Sequence, residues 1–273
     1  MSLRPETVLH IYYIEGILPT DAPIPAENFI GNWVEDNFSF LFFKKSARET
    51  VEKILSNYPG LRLQDEYEMS YEQWQGGAIE PVRIGRFLIN PPWIKASPRK
   101  GEISITLDSG VVFGNGAHPT TQACLEAIEI ACAGGKVKTM LDLGSGTGIL
   151  SLAAARLGPK KIASVDYNFL ASQTTRTNVL LNNLEEQILV INGKAEEHTG
   201  VASDLLVANI HYDVMRNLIR AEGFLKQKWF VLSGLLRSEE KKISAFLATQ
   251  PVHILKRWNK DSIWNTILGI TRE

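Results

Sequence analysis

The segment Thr139-Met140-Leu141-Asp142-Leu143-Gly144-Ser145-Gly146-Thr147-Gly148-Ile149-Leu150-Ser151-Leu152-Ala153-Ala154-Ala155 decides the fold of this chain. Its first five residues read as a buried strand, the glycines follow at once, and the run from Ile149 reads as a helix. Strand, tight glycine turn and helix in succession make the first βα turn of a nucleotide-binding sheet. Glycines at 144, 146 and 148 let the backbone take positive φ and approach a ligand closely. A glycine triplet alone is a weak signal, because an ordinary strand-turn-helix can carry incidental glycines. Asp166 strengthens it: this acid closes the next candidate strand 22 positions after Gly144, where a carboxylate can accept both hydrogen bonds of a ribose diol.

Two nucleotide classes are disfavoured by the same segment. A dinucleotide fingerprint wants a third glycine where Ile149 stands, since a side chain there obstructs helix packing and access to a pyrophosphate. A Walker-type loop ends in Gly-Lys-Ser/Thr, and no lysine occurs between Met140 and Pro159. What remains is a nucleoside carrying an amino acid and no phosphates, and Asp142 suits an ammonium or a bound water better than a phosphate.

Outward from the loop the pattern is β then α, repeatedly. Strands are expected at Thr139 to Leu143, Lys161 to Asp166, Ile188 to Ile191, Leu205 to Asn209, Trp229 to Ser233, Val252 to Trp258 and Ile263 to Ile270, with helices at Pro119 to Ala133, Ile149 to Leu157, Leu170 to Asn182, Val214 to Leu225 and Glu239 to Ala248. This predicts an α/β fold with a doubly wound, mostly parallel seven-stranded sheet, its last two strands joined by a link too short for a parallel crossover and so antiparallel. Toward the N-terminus, Val8 to Ile14, Phe38 to Phe43 and Leu61 to Met69 read as strands and Ala47 to Tyr58 as a helix stopped by Pro59-Gly60. The expected organisation is a small α+β substrate-recognition domain at 1–72, a linker and edge segment at 73–100, and the large α/β domain at 101–273.

Composition narrows the function. With 29 basic against 30 acidic residues and a pI near 6.5, nothing suggests a polyanion-coating surface, and no direct nucleic-acid binding is expected. Cys124 and Cys132 lie two helical turns apart and read as buried core thiols; the five histidines lack paired zinc spacing, so no metal is expected. Met1-Ser2-Leu3-Arg4-Pro5 lacks the apolar core of a signal peptide and no window reaches membrane-span length, which points to a reducing, cytoplasmic setting without a membrane partner. A monomer is expected.

Phe113-Gly114-Asn115-Gly116-Ala117-His118-Pro119-Thr120-Thr121, preceded by Leu107-Asp108-Ser109-Gly110, is more specific than the glycine loop. With the Asp-x-Gly-x-Gly-x-Gly motif it resembles the class I S-adenosylmethionine methyltransferases, and within them the F-G-T-G-x-H-P-T-T signature of the ribosomal protein L-eleven methyltransferase family. Pro81-Val82-Arg83-Ile84-Gly85, Pro91-Pro92-Trp93, Ala208-Asn209-Ile210 and Leu232-Ser233-Gly234-Leu235-Leu236 agree in order, so the resemblance covers about residues 80 to 273. Asn115 stands where that signature has threonine, and the first 75 or so residues carry no matching motif.

The resemblance implies a Rossmann-like sheet, S-adenosyl-L-methionine as methyl donor with S-adenosyl-L-homocysteine as product, and a protein acceptor from the large ribosomal subunit, methylated on lysine side chains and α-amines. It also implies cofactor contacts at Phe113, Thr120, Thr121, Asp142, Gly144, Ser145, Gly146, Thr147, Gly148, Asp166, Ala195 and Asn209, and catalytic roles for Asn209 and the backbone at Ile210. Leu205 to Ala208 is a buried run, and chemistry in open α/β sheets sits beyond the carboxyl ends of such strands, where Asn209 emerges. Each assignment has a plainer counterpart: a strand-to-helix cap for Asn209, helix-start chemistry for Thr120 and Thr121, core packing for Phe113, and a structural histidine at His118. Asn90-Pro91-Pro92-Trp93 has the form of an amino-methyltransferase catalytic motif but precedes the first sheet strand, and is read as a rigid connector. Arg237, Lys241 and Lys242 read as a solvated helix face. Another protein, an RNA or a small molecule as acceptor, and an inactive cofactor-binding module, stand as the alternatives.

Overall fold

The computed structural model describes residues 3–19 and 21–272. Met1 and Ser2, part of the Met1 to Pro5 segment considered for a signal peptide, lie outside that set. The chain divides into two compact units at Glu80/Pro81.

The first unit contains β1 (Val8–Glu15), β2 (Phe29–Glu35), β3 (Phe38–Phe43), helix α1 (Arg48–Asn57), β4 (Arg62–Ser70) and the single turn α2 (Tyr71–Trp74). Its antiparallel sheet runs β2-β3-β1-β4. Alternation sends Leu41 and Phe43 of β3, with Tyr12 and Ile14 of β1, onto Val51 and Ile54 of α1, leaving Tyr13, Phe38 and Phe40 for the opposite face. Strand β2 was not expected, because Gly31 and Asn32 dilute its β character. Pairing with β3 across the Asp36-Asn37 turn, Asp36 at φ 51°, supplies what local preference does not.

The second unit opens with a three-stranded sheet of β5 (Val82–Ile84), β6 (Phe87–Asn90) and β7 (Ile103–Thr106). The segment expected to be linker and edge therefore contains β5 and β6, strands too short to display an alternation. There follow α3 (Pro119–Cys132), β8 (Thr139–Leu143), α4 (Ile149–Leu157), β9 (Lys161–Asp166), α5 (Phe169–Leu181), β10 (Ile188–Asn192), α6 (Ala195–His198), β11 (Leu205–Asn209), α7 (Tyr212–Leu218), β12 (Trp229–Leu236), α8 (Arg237–Leu247), β13 (Val252–Lys260) and β14 (Trp264–Thr271). One helix is shorter than expected: α7 stops at Leu218 and Glu222–Lys226 is a separate 3-10 turn, where Gly223 packs straight onto the Thr199 carbonyl.

The large sheet runs β10-β9-β8-β11-β12-β14-β13, with β14 antiparallel to both neighbours and the other strands parallel, as the sequence led one to expect. Its central strands β8, β11 and β12 are buried on both faces because both are covered. Met140, Val207 and Val231 pack with α3 and α4, while Leu143, Leu206 and Leu232 pack with α7 and α8. Strand order reverses between β8 and β11, and the crevice beyond the carboxyl ends of those two strands is where such sheets bind ligands.

Candidate active site

The glycine loop is the short link from β8 to α4. Gly144, Gly146 and Gly148 lie at φ 77°, 55° and 81°. The positive φ was expected, but the close neighbours are protein: a Cβ at Gly144 would run into the Ile210 side chain, and one at Gly146 into the Phe113 carbonyl. The loop is thereby clamped between the segment after β11 and the segment before α3. Thr147 N donates to Phe113 O at 3.2 Å and Thr147 Oγ1 to Gly114 O at 2.7 Å. From beneath, Thr175 Oγ1 of α5 donates to Gly146 O at 2.9 Å and packs under Gly148. Ser145 Oγ completes the support, 3.2 Å from Thr175 Oγ1.

Asp166 closes β9 beside this loop. Its Oδ2 accepts Gly146 N at 2.9 Å and its Oδ1 accepts Asn168 N at 2.9 Å. A carboxylate has about four acceptor sites, so two remain for a diol. Asp142 lies one layer deeper and has no exposed surface. Ser151 Oγ donates to its Oδ2 at 2.6 Å, while Oδ1 has no hydrogen-bond partner among the described residues. The Asp142 carboxyl therefore has no open surface on the crevice for the direct contact with a ligand ammonium expected from the sequence.

Burial pushes the Asp142 carboxyl up to about 7, against the Ser151 hydrogen bond and with help from the neighbouring Asp166 charge. Burial also raises Asp166, opposed by the two backbone amides it accepts. Among the described residues, no lysine or arginine contributes to either shift. Two buried acids without a basic partner leave a crevice that favours a cation and repels phosphate.

Phe113 to Thr121 forms the opposite wall. Phe113 is 48% exposed, which removes the core-packing alternative. Its ring meets His118 edge-on at 5.2 Å, and His118 meets Trp264 of β14 at 5.0 Å. His118, not a threonine, is the N-cap of α3, accepting Thr120 N at 3.3 Å through Nδ1, with Pro119 in the first turn. Burial lowers the His118 pKa, against the pull of Asp261. Thr120 and Thr121 are both buried, and Thr121 Oγ1 has no hydrogen-bond partner among the described residues.

Asn209 ends β11 and donates from Nδ2 to Thr120 Oγ1 at 3.2 Å, joining the candidate catalytic position to the wall. It does not cap α7, whose N-cap is His211. Ile210 N donates to Ser233 O at 3.3 Å, seating this corner on β12. Gly234, at φ 85°, faces it: a Cβ there would lie 2.8 Å from Ile210 O and 3.2 Å from Asn209 Oδ1.

Ala195 stands apart. It opens α6, half-buried, and its segment reaches the others through Gly193 N, which donates to Asp166 O at 3.0 Å. The Asn90 side chain is used up inside the small sheet, donating to Ser104 Oγ at 3.0 Å and accepting Ala96 N at 3.2 Å, so Asn90-Pro91-Pro92-Trp93 is a structural connector. Sequence reasoning missed Asn178 of α5. This buried side chain donates to Asp108 O and Thr147 O, both at 2.8 Å, and accepts Asp108 N at 2.7 Å, stitching two loops together. A mid-helix asparagine gives no sign of such partners.

Comparison with known proteins follows the same outline. The family model described as ribosomal protein L11 methyltransferase (PrmA) matches residues 41–272. A ribosomal protein L11 methyltransferase from Citrifermentans bemidjiense is 38% identical over 177 residues, 61% of this chain and 56% of that protein. The chain thus spans little more than half the length of that curated relative. One from Desulfitobacterium hafniense is 33% identical over 227 residues, covering 79% of this chain and 70% of the relative. A crystal structure of ribosomal protein L11 methylase from Lactobacillus delbrueckii subsp. bulgaricus superimposes with a TM-score of 0.64 at 26% identity, covering 71% of this chain and 100% of that one.

Proposed function

The chain belongs to the ribosomal protein L11 methyltransferase (PrmA) family, and on that premise we propose that it transfers methyl groups from S-adenosyl-L-methionine to amines of ribosomal protein L11, on lysine side chains and α-amines. The observation that carries the cofactor is the pair of buried acids, Asp142 and Asp166, under a glycine turn with no basic side chain acting on them. S-adenosyl-L-methionine fits that environment, having a sulfonium and an ammonium against one carboxylate and no phosphate. Asp166 would hold the ribose hydroxyls with its spare acceptor sites, and the unpartnered Thr121 hydroxyl the amino-acid end, the Thr120 hydroxyl being taken up by His118 and Asn209. Phe113 would cover the crevice, and the Ala195 amide would meet the adenine.

The bound cofactor supplies an electrophilic methyl group. The chain's own task is to present a neutral amine and to exclude water. A free lysine has a pKa near ~10.4, so lone-pair access at neutral pH costs roughly 4 to 5 kcal/mol. The carbonyl of Asn209 and the backbone carbonyl of Ile210 would accept the amine's N–H groups in a desolvated corner, which lowers that cost and aims the lone pair.

Residues 1–80 suit the acceptor protein. They hold 13 acidic against 6 basic residues, whereas residues 81–273 hold 17 acidic against 23 basic. On the sheet face away from α1, Trp33, Phe40 and Tyr13 stand in register across β2, β3 and β1. Tyr13 stacks on Phe40 at 4.8 Å and lies 4.9 Å from Phe38, with Glu35 and Asp65 at the rim. Half-exposed aromatics ringed by carboxylates fit a lysine-bearing protein surface. A cytoplasmic site of action fits the two free buried thiols.

Calorimetry with S-adenosyl-L-methionine tests the site: wild type binds and Asp166→Ala loses at least ~10-fold in affinity. Labelled cofactor offered with large-subunit ribosomal proteins tests the acceptor. Label confined to RNA or to small molecules overturns the protein assignment, and a wild type that binds no cofactor overturns the whole proposal.

A further inference from the structure

We infer that His118 is a positioning residue for methyl transfer: through the Thr120 hydroxyl it sets which end of the Asn209 amide faces the acceptor amine. The inference rests on the proposed role of Asn209 and adds a residue that the proposal leaves idle.

The direction of each hydrogen bond follows from the one before. Thr120 N–H can only donate, so His118 Nδ1, which receives it at 3.3 Å, is the acceptor nitrogen and the ring proton is on Nε2. The Thr120 hydroxyl lies 2.7 Å from that same Nδ1, and with no hydrogen on Nδ1 the hydroxyl must donate. Thr120 Oγ1 has one hydrogen, now committed, so only lone pairs face Asn209 at 3.2 Å. Asn209 therefore turns its NH2 group to Thr120, and a flipped amide would set two acceptors against each other. Its Oδ1 is left on the other side, over Gly234, where the missing side chain keeps the carbonyl uncovered. An amine donor finds there the acceptor it needs.

The ring is held for this task. Phe113 and Trp264 contact it edge-on at 5.2 Å and 5.0 Å, and its Nδ1 also caps α3. Among the described residues, the charged group acting on it is Asp261, in the β13–β14 turn. Protonating His118 would convert Nδ1 to a donor, release the Thr120 hydrogen and free the Asn209 amide to turn.

The test uses the full chain and two substitutions that leave α3 its start. His118→Asn keeps a side chain suited to an N-cap, and Thr120→Val keeps the shape of the threonine. Each should lower kcat ~10-fold or more while the calorimetric Kd for S-adenosyl-L-methionine and the melting temperature stay close to wild type. Thr120→Ser, which restores the hydroxyl, should recover most of what Thr120→Val loses. On an Asn209→Ala background, His118→Asn should cost less than ~2-fold more, because it acts through the side chain already removed. The Asn209 side-chain NH2 signals of the cofactor-free protein give a readout without turnover, and His118→Asn should speed their exchange with water. Losses that multiply on the Asn209→Ala background, or an NH2 exchange rate unmoved by His118→Asn, overturn the inference. If Asn209→Ala itself keeps full kcat, the role proposed for Asn209 fails, while the exchange measurement still decides whether His118 controls the amide.

Discussion

Asp142→Asn separates the cost of the buried acid from its use. With its carboxyl pushed up to about 7 in the folded chain, against about 3.9 for an exposed aspartate, the folded state binds the proton more tightly than the unfolded one. Such a group contributes stability that is complete below the unfolded value and is lost as pH rises through the folded value. From pH 5 to pH 8 wild type should lose roughly 2 to 3 kcal/mol on this account alone, and little more above pH 8. In a unit of this size that corresponds to a fall in melting temperature of roughly 5 to 10 °C. Asparagine cannot ionise, so the variant should show that much less slope over the same window, whatever its offset at pH 5. The slope from Asp166, also raised by burial, is common to both proteins and cancels. Differential scanning calorimetry of the two proteins at half-unit intervals provides the comparison. A cationic ligand in the crevice should flatten the wild-type curve more than the variant's, which keeps only the Asp166 contribution. Parallel curves for wild type and Asp142→Asn, without ligand, would refute the claim that the acid is held without a counter-charge.

Three further outcomes are expected. Asn178→Ala strips hydrogen bonds from Asp108 N, Asp108 O and Thr147 O, and should cost about 3 kcal/mol in a denaturant titration while weakening cofactor affinity, since Thr147 belongs to the loop. Gly234→Ala forces a side chain to φ 85° and into the Ile210 carbonyl, and should cost about 2 kcal/mol and lower kcat more than it raises KM. Burial alone would raise the Asp204 carboxyl, but Lys228 and the amides of Lys138 and Thr139 hold it down at about 2. Its stabilisation is therefore present above pH ~4 and lost as pH falls through about 2, so Asp204→Asn should be about 2 kcal/mol less stable at pH 7 and within about 0.5 kcal/mol of wild type at pH 2.

What the sequence disclosed follows the range of the interactions. Strand β8, the glycine turn and α4 are specified by neighbours in the chain, and so were legible with their boundaries. The antiparallel β14 was legible because a short link leaves no other pairing. Strand β2 was not, because its pairing with β3 outweighs its own glycine and asparagine. Nor was the role of Asn178, whose partners lie 31 and 70 positions away. Charge distribution stayed hidden for a different reason: the near-neutral total conceals an acidic excess in residues 1–80 and a basic excess in residues 81–273, a contrast that needs only the domain boundary to emerge.

The site residues divide along the same line, with a mechanistic consequence. Asp166 and the glycines were found as a local pattern, and in the fold they remain one cluster, joined by the Gly146 to Asp166 hydrogen bond. Thr120 and Asn209 belong to motifs 89 positions apart, and only the folded chain reveals that they share a hydrogen bond. On the proposed function, cofactor grip and acceptor alignment would be separate constructions, meeting where Ile210 packs over Gly144. Substitutions on the Asp166 side should move the cofactor Kd with little change in the rate of bound complexes. Those on the Thr120–Asn209 side should move that rate at constant Kd, and a common response from both would mean that the crevice works as one unit.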